Sequence, residues 1–110
     1  MGAKMRPKGH IRLLITLKSQ GDMDEEAQYN IKDAFSRCAL NSTFNVSELD
    51  FERAKESMMS FVLDYPINFN PIKAINSLKS TSSRDIMCAC KDPFWKPGYW
   101  YQSLDASLLW

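Results

Sequence analysis

Ser57-Met58-Met59-Ser60-Phe61-Val62-Leu63-Asp64-Tyr65 alternates along its whole length. Met59, Phe61, Leu63 and Tyr65 fall on one side, Met58, Ser60, Val62 and Asp64 on the other. A period of two is the mark of a strand with one face on the core and one face open. The stretch carries no histidine, so a histidine–metal site cannot be built on it. His10 is the only histidine in the chain.

Working outward, His10 to Lys18 alternates in the same way, with Ile11, Leu13, Ile15 and Leu17 opposite Arg12, Thr16 and Lys18. Between the two strands, Ala27, Ile31, Ala34, Phe35 and Cys38 recur at helical spacing and predict a helix over Asp24 to Ala39. Asp22 followed by Glu25 reads as its capping pair. Thr43 to Phe51 is rich in strand formers, with a phase shift near Ser47-Glu48 that predicts a bulge, and Arg53 to Glu56 is a polar turn. Asn70-Pro71 opens a second helix, Asn as cap and Pro at the first helical position. Ile75, Leu78, Ser82, Ile86 and Ala89 mark its buried side. Asp92-Pro93 and Pro97-Gly98 bound a loop before a last strand, Tyr99 to Leu104. The order strand, helix, strand, strand, helix, strand, with right-handed crossovers, predicts an α+β fold of ferredoxin-like type: a four-stranded antiparallel sheet with two helices on one face.

With 110 residues, the expectation is one domain over residues 1–110. No apolar run approaches the roughly 20 residues needed to span a bilayer, and no secretory signal is legible, so a cytoplasmic protein without membrane contact is expected. Cys38, Cys88 and Cys90 lack the paired spacing of a zinc site and read as buried or idle thiols. Charge is unevenly laid out. Met1 to Gly21 has cations at Lys4, Arg6, Lys8, Arg12 and Lys18 and no acid, the middle is acidic, and Lys73, Lys79, Arg84, Lys91 and Lys96 make the region up to Gly98 basic again. If the fold joins the two basic segments, they form a surface suited to phosphates; otherwise they are solvated surface charge.

Three segments, in order, resemble the small HUH single-tyrosine transposases of insertion sequences and their REP-associated relatives. Phe61-Val62-Leu63-Asp64-Tyr65-Pro66 is similar to the strand end that follows the family's His-hydrophobic-His motif. Ser77-Leu78-Lys79-Ser80-Thr81-Ser82-Ser83-Arg84 is similar to a stretch inside its second helix. Pro93-Phe94-Trp95-Lys96-Pro97-Gly98-Tyr99-Trp100 is similar to the approach to its last strand. The resemblance implies a mechanism in which two histidines on one strand hold a divalent metal, Mg²⁺ or Mn²⁺, against the scissile phosphate. A tyrosine on a later helix attacks that phosphate, and a dimer acts on DNA hairpins.

Here the histidine positions fall on Met58 and Ser60. A thioether prefers soft ions and a lone hydroxyl binds weakly, so these are degenerate metal positions and no metal cofactor is expected. The family's tyrosine-bearing C-terminal helix has no counterpart before Trp110, and Tyr99 and Tyr101, on the last strand, read as packing residues; no catalytic residue is assigned. What the resemblance leaves is binding of single-stranded or hairpin DNA by a homodimer, with Arg12, Lys18, Lys79, Ser82, Ser83, Arg84 and Lys96 as the DNA-contacting residues. Trp95 or Tyr99 is the candidate for stacking on unpaired bases. The alternatives are a ferredoxin-like dimerisation or protein-interaction module that binds no nucleic acid, suggested by Met58 and Val62 on the open face, and an enzyme using carboxylates such as Asp64 and Glu56.

Overall fold

The structure, a computed structural model, describes residues 9–86 and 94–104. At its centre the first strand, β1 (His10–Lys18), runs antiparallel to a strand of equal length, Met58–Pro66. Their register is unbroken from His10 opposite Pro66 to Lys18 opposite Met58. Antiparallel partners point to the same side, so the two alternations noted above lock together. Leu13, Ile15 and Leu17 are buried beside Met59, Phe61 and Leu63.

The rest follows from covering that apolar face. The first helix, α1 (Glu25–Leu40), buries Ala27, Ile31, Ala34 and Phe35. Its cap is Asp24 rather than the expected Asp22: the Asp24 carboxylate accepts the Ala27 N–H at 2.8 Å. Asp24 wins because it stands directly before the first turn, where Glu25 and Glu26 also favour the positive end of the helix dipole. The second helix, α2 (Pro71–Ile86), buries Ala74, Ile75, Leu78 and Ser82, and the Asn70 side chain accepts the Ile72 N–H at 3.0 Å. Arg37 of α1 bridges Asp33 of its own helix and Asp85 of α2, tying the two helices together. Phe35 meets Phe61 edge-on, with ring centroids 5.1 Å apart.

The second strand, β2 (Asn45–Asp50), is shorter than the predicted span. Its register slips between Ser47 and Asp50, where Glu48 takes φ 51, so the predicted bulge is present. The polar turn is a single turn of 3-10 helix, Ala54–Glu56, closed by Ser57 in a left-handed conformation. With β3 denoting Met58–Pro66 and β4 Trp100–Ser103, the sheet order is β2-β3-β1-β4, every neighbour antiparallel. This is the expected ferredoxin-like arrangement. No helix among the described residues is long and apolar enough to cross a membrane. Cys38 is half-buried and forms no disulfide among the described residues; Cys88, Cys90, Ala89, Lys4, Arg6, Lys8, Lys91, Asp92-Pro93 and Trp110 lie outside the described residues.

One packing expectation is overturned. Tyr101 is on the helix side of β4 yet 66% exposed, because β4 is the outer strand beyond β1 and the helices do not reach over it. Among the described residues its ring meets one other aromatic ring, that of half-buried Tyr99, with centroids 6.2 Å apart. The contrast is measurable. Phe35→Ala should cost about 3–5 kcal/mol, a large share of the roughly 5–15 kcal/mol that holds a small domain together. Tyr101→Ala should change stability by less than about 0.5 kcal/mol, both read from urea unfolding.

Candidate nucleic-acid interface

The register lays out the helix-free side of the sheet row by row. Asn45, Asp64 and Arg12 form one row; Ser47, Val62, Leu14 and Gln102 the next; Asp50, Ser60, Thr16 and Trp100 the third; Met58 and Lys18 the last. Met58 and Ser60 therefore stand together on this face, where strand alternation places them. Val62 is only 4% exposed there. A cleft of about 230 Å³ opens over the third row, floored by Leu14, Thr16, Met58, Met59 and Ser60, with Asp50, Glu52 and Arg53 on the β2 side.

The side chains at positions 58 and 60 do not suit a hard divalent ion. Met58 and Ser60 supply a thioether and a hydroxyl, and among the described residues no group of three or more His, Cys, Asp or Glu side chains is arranged to hold a metal. One Asp50 oxygen accepts the Glu52 N–H at 2.9 Å. Arg53 is turned to Glu56 and holds that carboxyl below the ordinary carboxylate range. The Asp64 carboxylate pairs with His10 Nδ1 at 2.8 Å. Asp64 and Glu56 are at opposite ends of β3, so the two carboxylates do not form a pair.

The cations divide by location. Lys18 holds its ammonium 5.3 Å from the centre of the Trp100 ring, a cation–π contact on the open face. Lys96 follows next to it, its N–H donated to the Lys18 carbonyl at 2.9 Å. The two basic segments thus meet at this end of β1, through Lys18 and Lys96. Arg12 is separate, beside Glu48 at 3.8 Å. Arg84 is exposed in the last turn of α2.

The remaining three expected contact residues do something else. Ser82 is fully buried; its hydroxyl donates to the Leu78 carbonyl at 2.7 Å and accepts the Trp95 Nε1–H at 2.8 Å. Ser83 Oγ accepts the Phe94 N–H at 3.2 Å. Lys79 Nζ donates to the carbonyls of Lys96 and Gly98, at 2.9 and 3.0 Å, and partial burial lowers its pKa from the usual lysine value. Together they clamp residues 94–98 onto α2. From the other side the residues just after β1 hold the same segment, through a Ser19–Trp95 bridge and the Gln20 N–H donated to the Phe94 carbonyl. Gly21 gives Phe94 its room, since a Cβ there would lie 3.2 Å from the ring. Trp95, 4% exposed, is enclosed in this clamp and presents no face to a base. Trp100, 57% exposed, is the aromatic on the open face. Sequence reasoning passed over it; the signal was its place one residue out of phase with Tyr99 and Tyr101.

Ser82→Ala leaves the buried Trp95 N–H without its acceptor and should cost about 1–3 kcal/mol. Arg84→Ala, in the same segment but exposed, should stay within about 0.5 kcal/mol. Urea unfolding followed by tryptophan fluorescence separates the two.

No protein-family model and no curated protein matches the chain. Solved structures do. A REP-associated tyrosine transposase bound to a REP hairpin superposes with a TM-score of 0.68 at 12% identity, over 91% of this chain and 59% of that one. This chain thus spans less than two thirds of that protein's length. A protein from Deinococcus radiodurans R1, provisionally assigned as a transposase, superposes with a TM-score of 0.73 at 13% identity, over 96% of this chain and 89% of that one. The chain therefore shares the fold of these two solved structures.

Proposed function

We propose that this chain is a cytoplasmic, transposase-like domain that binds single-stranded or hairpin DNA and does not cut it. The observation that carries the reading is the open sheet face. Met58 and Ser60 stand there, at the positions that the resemblance gives to metal-binding histidines, and Lys18, Lys96 and Trp100 beside them offer phosphate- and base-binding chemistry. The first structural neighbour holds a REP hairpin, which makes hairpin DNA the ligand to test. Without imidazoles to hold Mg²⁺ or Mn²⁺, the strand loses the means to polarise a scissile phosphate, and the domain takes no metal cofactor. Phosphate contact falls to Lys18, Lys96, Arg84 and Arg12; Lys79, Ser82 and Ser83 shape the surface by holding residues 94–98.

A second reading has its own observation. β4 is an edge strand of four residues with Trp100 and Tyr101 both exposed, a surface on which two copies could pair their sheets. Homodimerisation and DNA binding are compatible; dimerisation without DNA binding is the rival. A monomer in light scattering at high micromolar concentration would remove it.

Fluorescence anisotropy with a labelled hairpin decides the main reading. Binding should weaken on the order of tenfold between 50 and 200 mM salt if about two to three phosphates are contacted, and Lys96→Ala should flatten the salt slope by about one. Incubation with Mg²⁺ or Mn²⁺ should give no covalent protein–DNA adduct. An adduct would sink the non-cutting part, and no binding at low salt would sink the DNA part. The double variant Met58→His/Ser60→His puts two imidazoles on one face of β3 and should gain Zn²⁺ binding by at least about tenfold in calorimetry.

A further inference from the structure

We propose that the cleft over Met58 and Ser60 is a nucleobase pocket, taking one unpaired base with an exocyclic amine from a strand whose next base stacks on Trp100. This rests on the DNA-binding reading and specifies where and how the strand is read.

The cleft has the size, walls and polarity for a base. At about 230 Å³ it has room for a single base ring system. Leu14 and Met58 supply apolar walls, the kind of surface against which a base face packs. Thr16 and Ser60 place two hydroxyls on the floor, opposite each other in the register. On the β2 side the polar groups are predominantly acceptors. Asp50 has one oxygen engaged by the Glu52 N–H and a second to offer, and Glu52 adds another carboxylate. The one cation, Arg53, is turned to Glu56.

That polarity excludes one end of a nucleotide and selects the other. Carboxylates repel phosphate, so the backbone cannot lie in the cleft. They accept from amino groups, as acidic side chains do from cytosine N4. Cytosine and adenine carry such an amine and thymine carries none. The backbone has its own place: Lys18 is on the adjacent row, and Lys96 beside it. Trp100 stands opposite Thr16, one strand spacing of about 4.8 Å from the cleft floor, within the step between neighbouring nucleotides of an extended strand. With 57% of its surface exposed and the Lys18 ammonium at 5.3 Å, its ring is a stacking platform with a phosphate-binding cation attached. The face is thus graded from Lys18 and Trp100 to Asp50 and Glu52, cation and ring for any nucleotide, acceptors for a chosen one.

The test is anisotropy of the native chain with equal-length homopolymers of deoxycytidine, deoxyadenosine and thymidine at one low salt concentration. The deoxycytidine and deoxyadenosine strands should bind about tenfold more tightly than the thymidine strand. Asp50→Asn/Glu52→Gln should abolish that preference without weakening thymidine-strand binding. Trp100→Ala should weaken all three about tenfold, with thermal unfolding unchanged in both variants. Equal binding of the three strands by the native chain overturns the pocket and leaves the DNA-binding reading standing; the native comparison needs no variant to fold. Failure to bind any strand or hairpin overturns both. Cytidine monophosphate alone binding as tightly as the deoxycytidine strand overturns the assignment to a strand and points to a free nucleotide.

Discussion

The pairing of β1 with β3 is the constraint on which everything else depends. Nine residues of each strand meet without a slip, and because side chains alternate, a shift of one residue would turn the core outward. Burial of Ile15, Leu17, Phe61 and Leu63 on one face makes such a shift too costly to populate. The same register sends Thr16, Lys18, Met58 and Ser60 to the other face. The chemistry of the open side is thus set by a choice made for the core.

A second constraint joins distant parts of the chain. The Ser77–Arg84 and Phe94–Trp100 segments, separate in sequence, are bonded to one another through Ser82 and Trp95, Ser83 and Phe94, and Lys79 with the carbonyls of Lys96 and Gly98. A buried indole N–H must find an acceptor, and Ser82 is the one supplied. This clamp fixes where the chain leaves α2 and where β4 begins. It thereby sets Trp100 across from Thr16.

The fold was legible because both central strands and both helices carry clean periodicities, and Asn70-Pro71 and the Glu48 bulge are local signals that tertiary contacts did not override. The face occupied by Met58 and Ser60 was legible for the same reason. Side-chain roles were less so. Lys79, Ser82 and Ser83 look like phosphate ligands in a string of polar residues, and only the return of residues 94–98 against α2 shows their hydrogen bonds already made. Trp95 and Trp100 are alike in sequence. One is enclosed between β1 and α2, and the other stands on the far side of the sheet. Asp50 and Glu52 join Ser60 only through the cross-strand pairing after the bulge, which no linear spacing reveals.

The pleat of β3 has a further consequence. Odd-numbered residues from Met59 to Tyr65 answer to the core, and the intervening even-numbered ones answer mainly to whatever lies on the open face. Selection on folding therefore acts on one half of the strand and selection on chemistry on the other, with little traffic between them. Met58 or Ser60 can be exchanged for another side chain without touching the core contacts of Met59 and Phe61. The sheet acts as a partition, behind which the chemistry of the open face can change while the core stays packed.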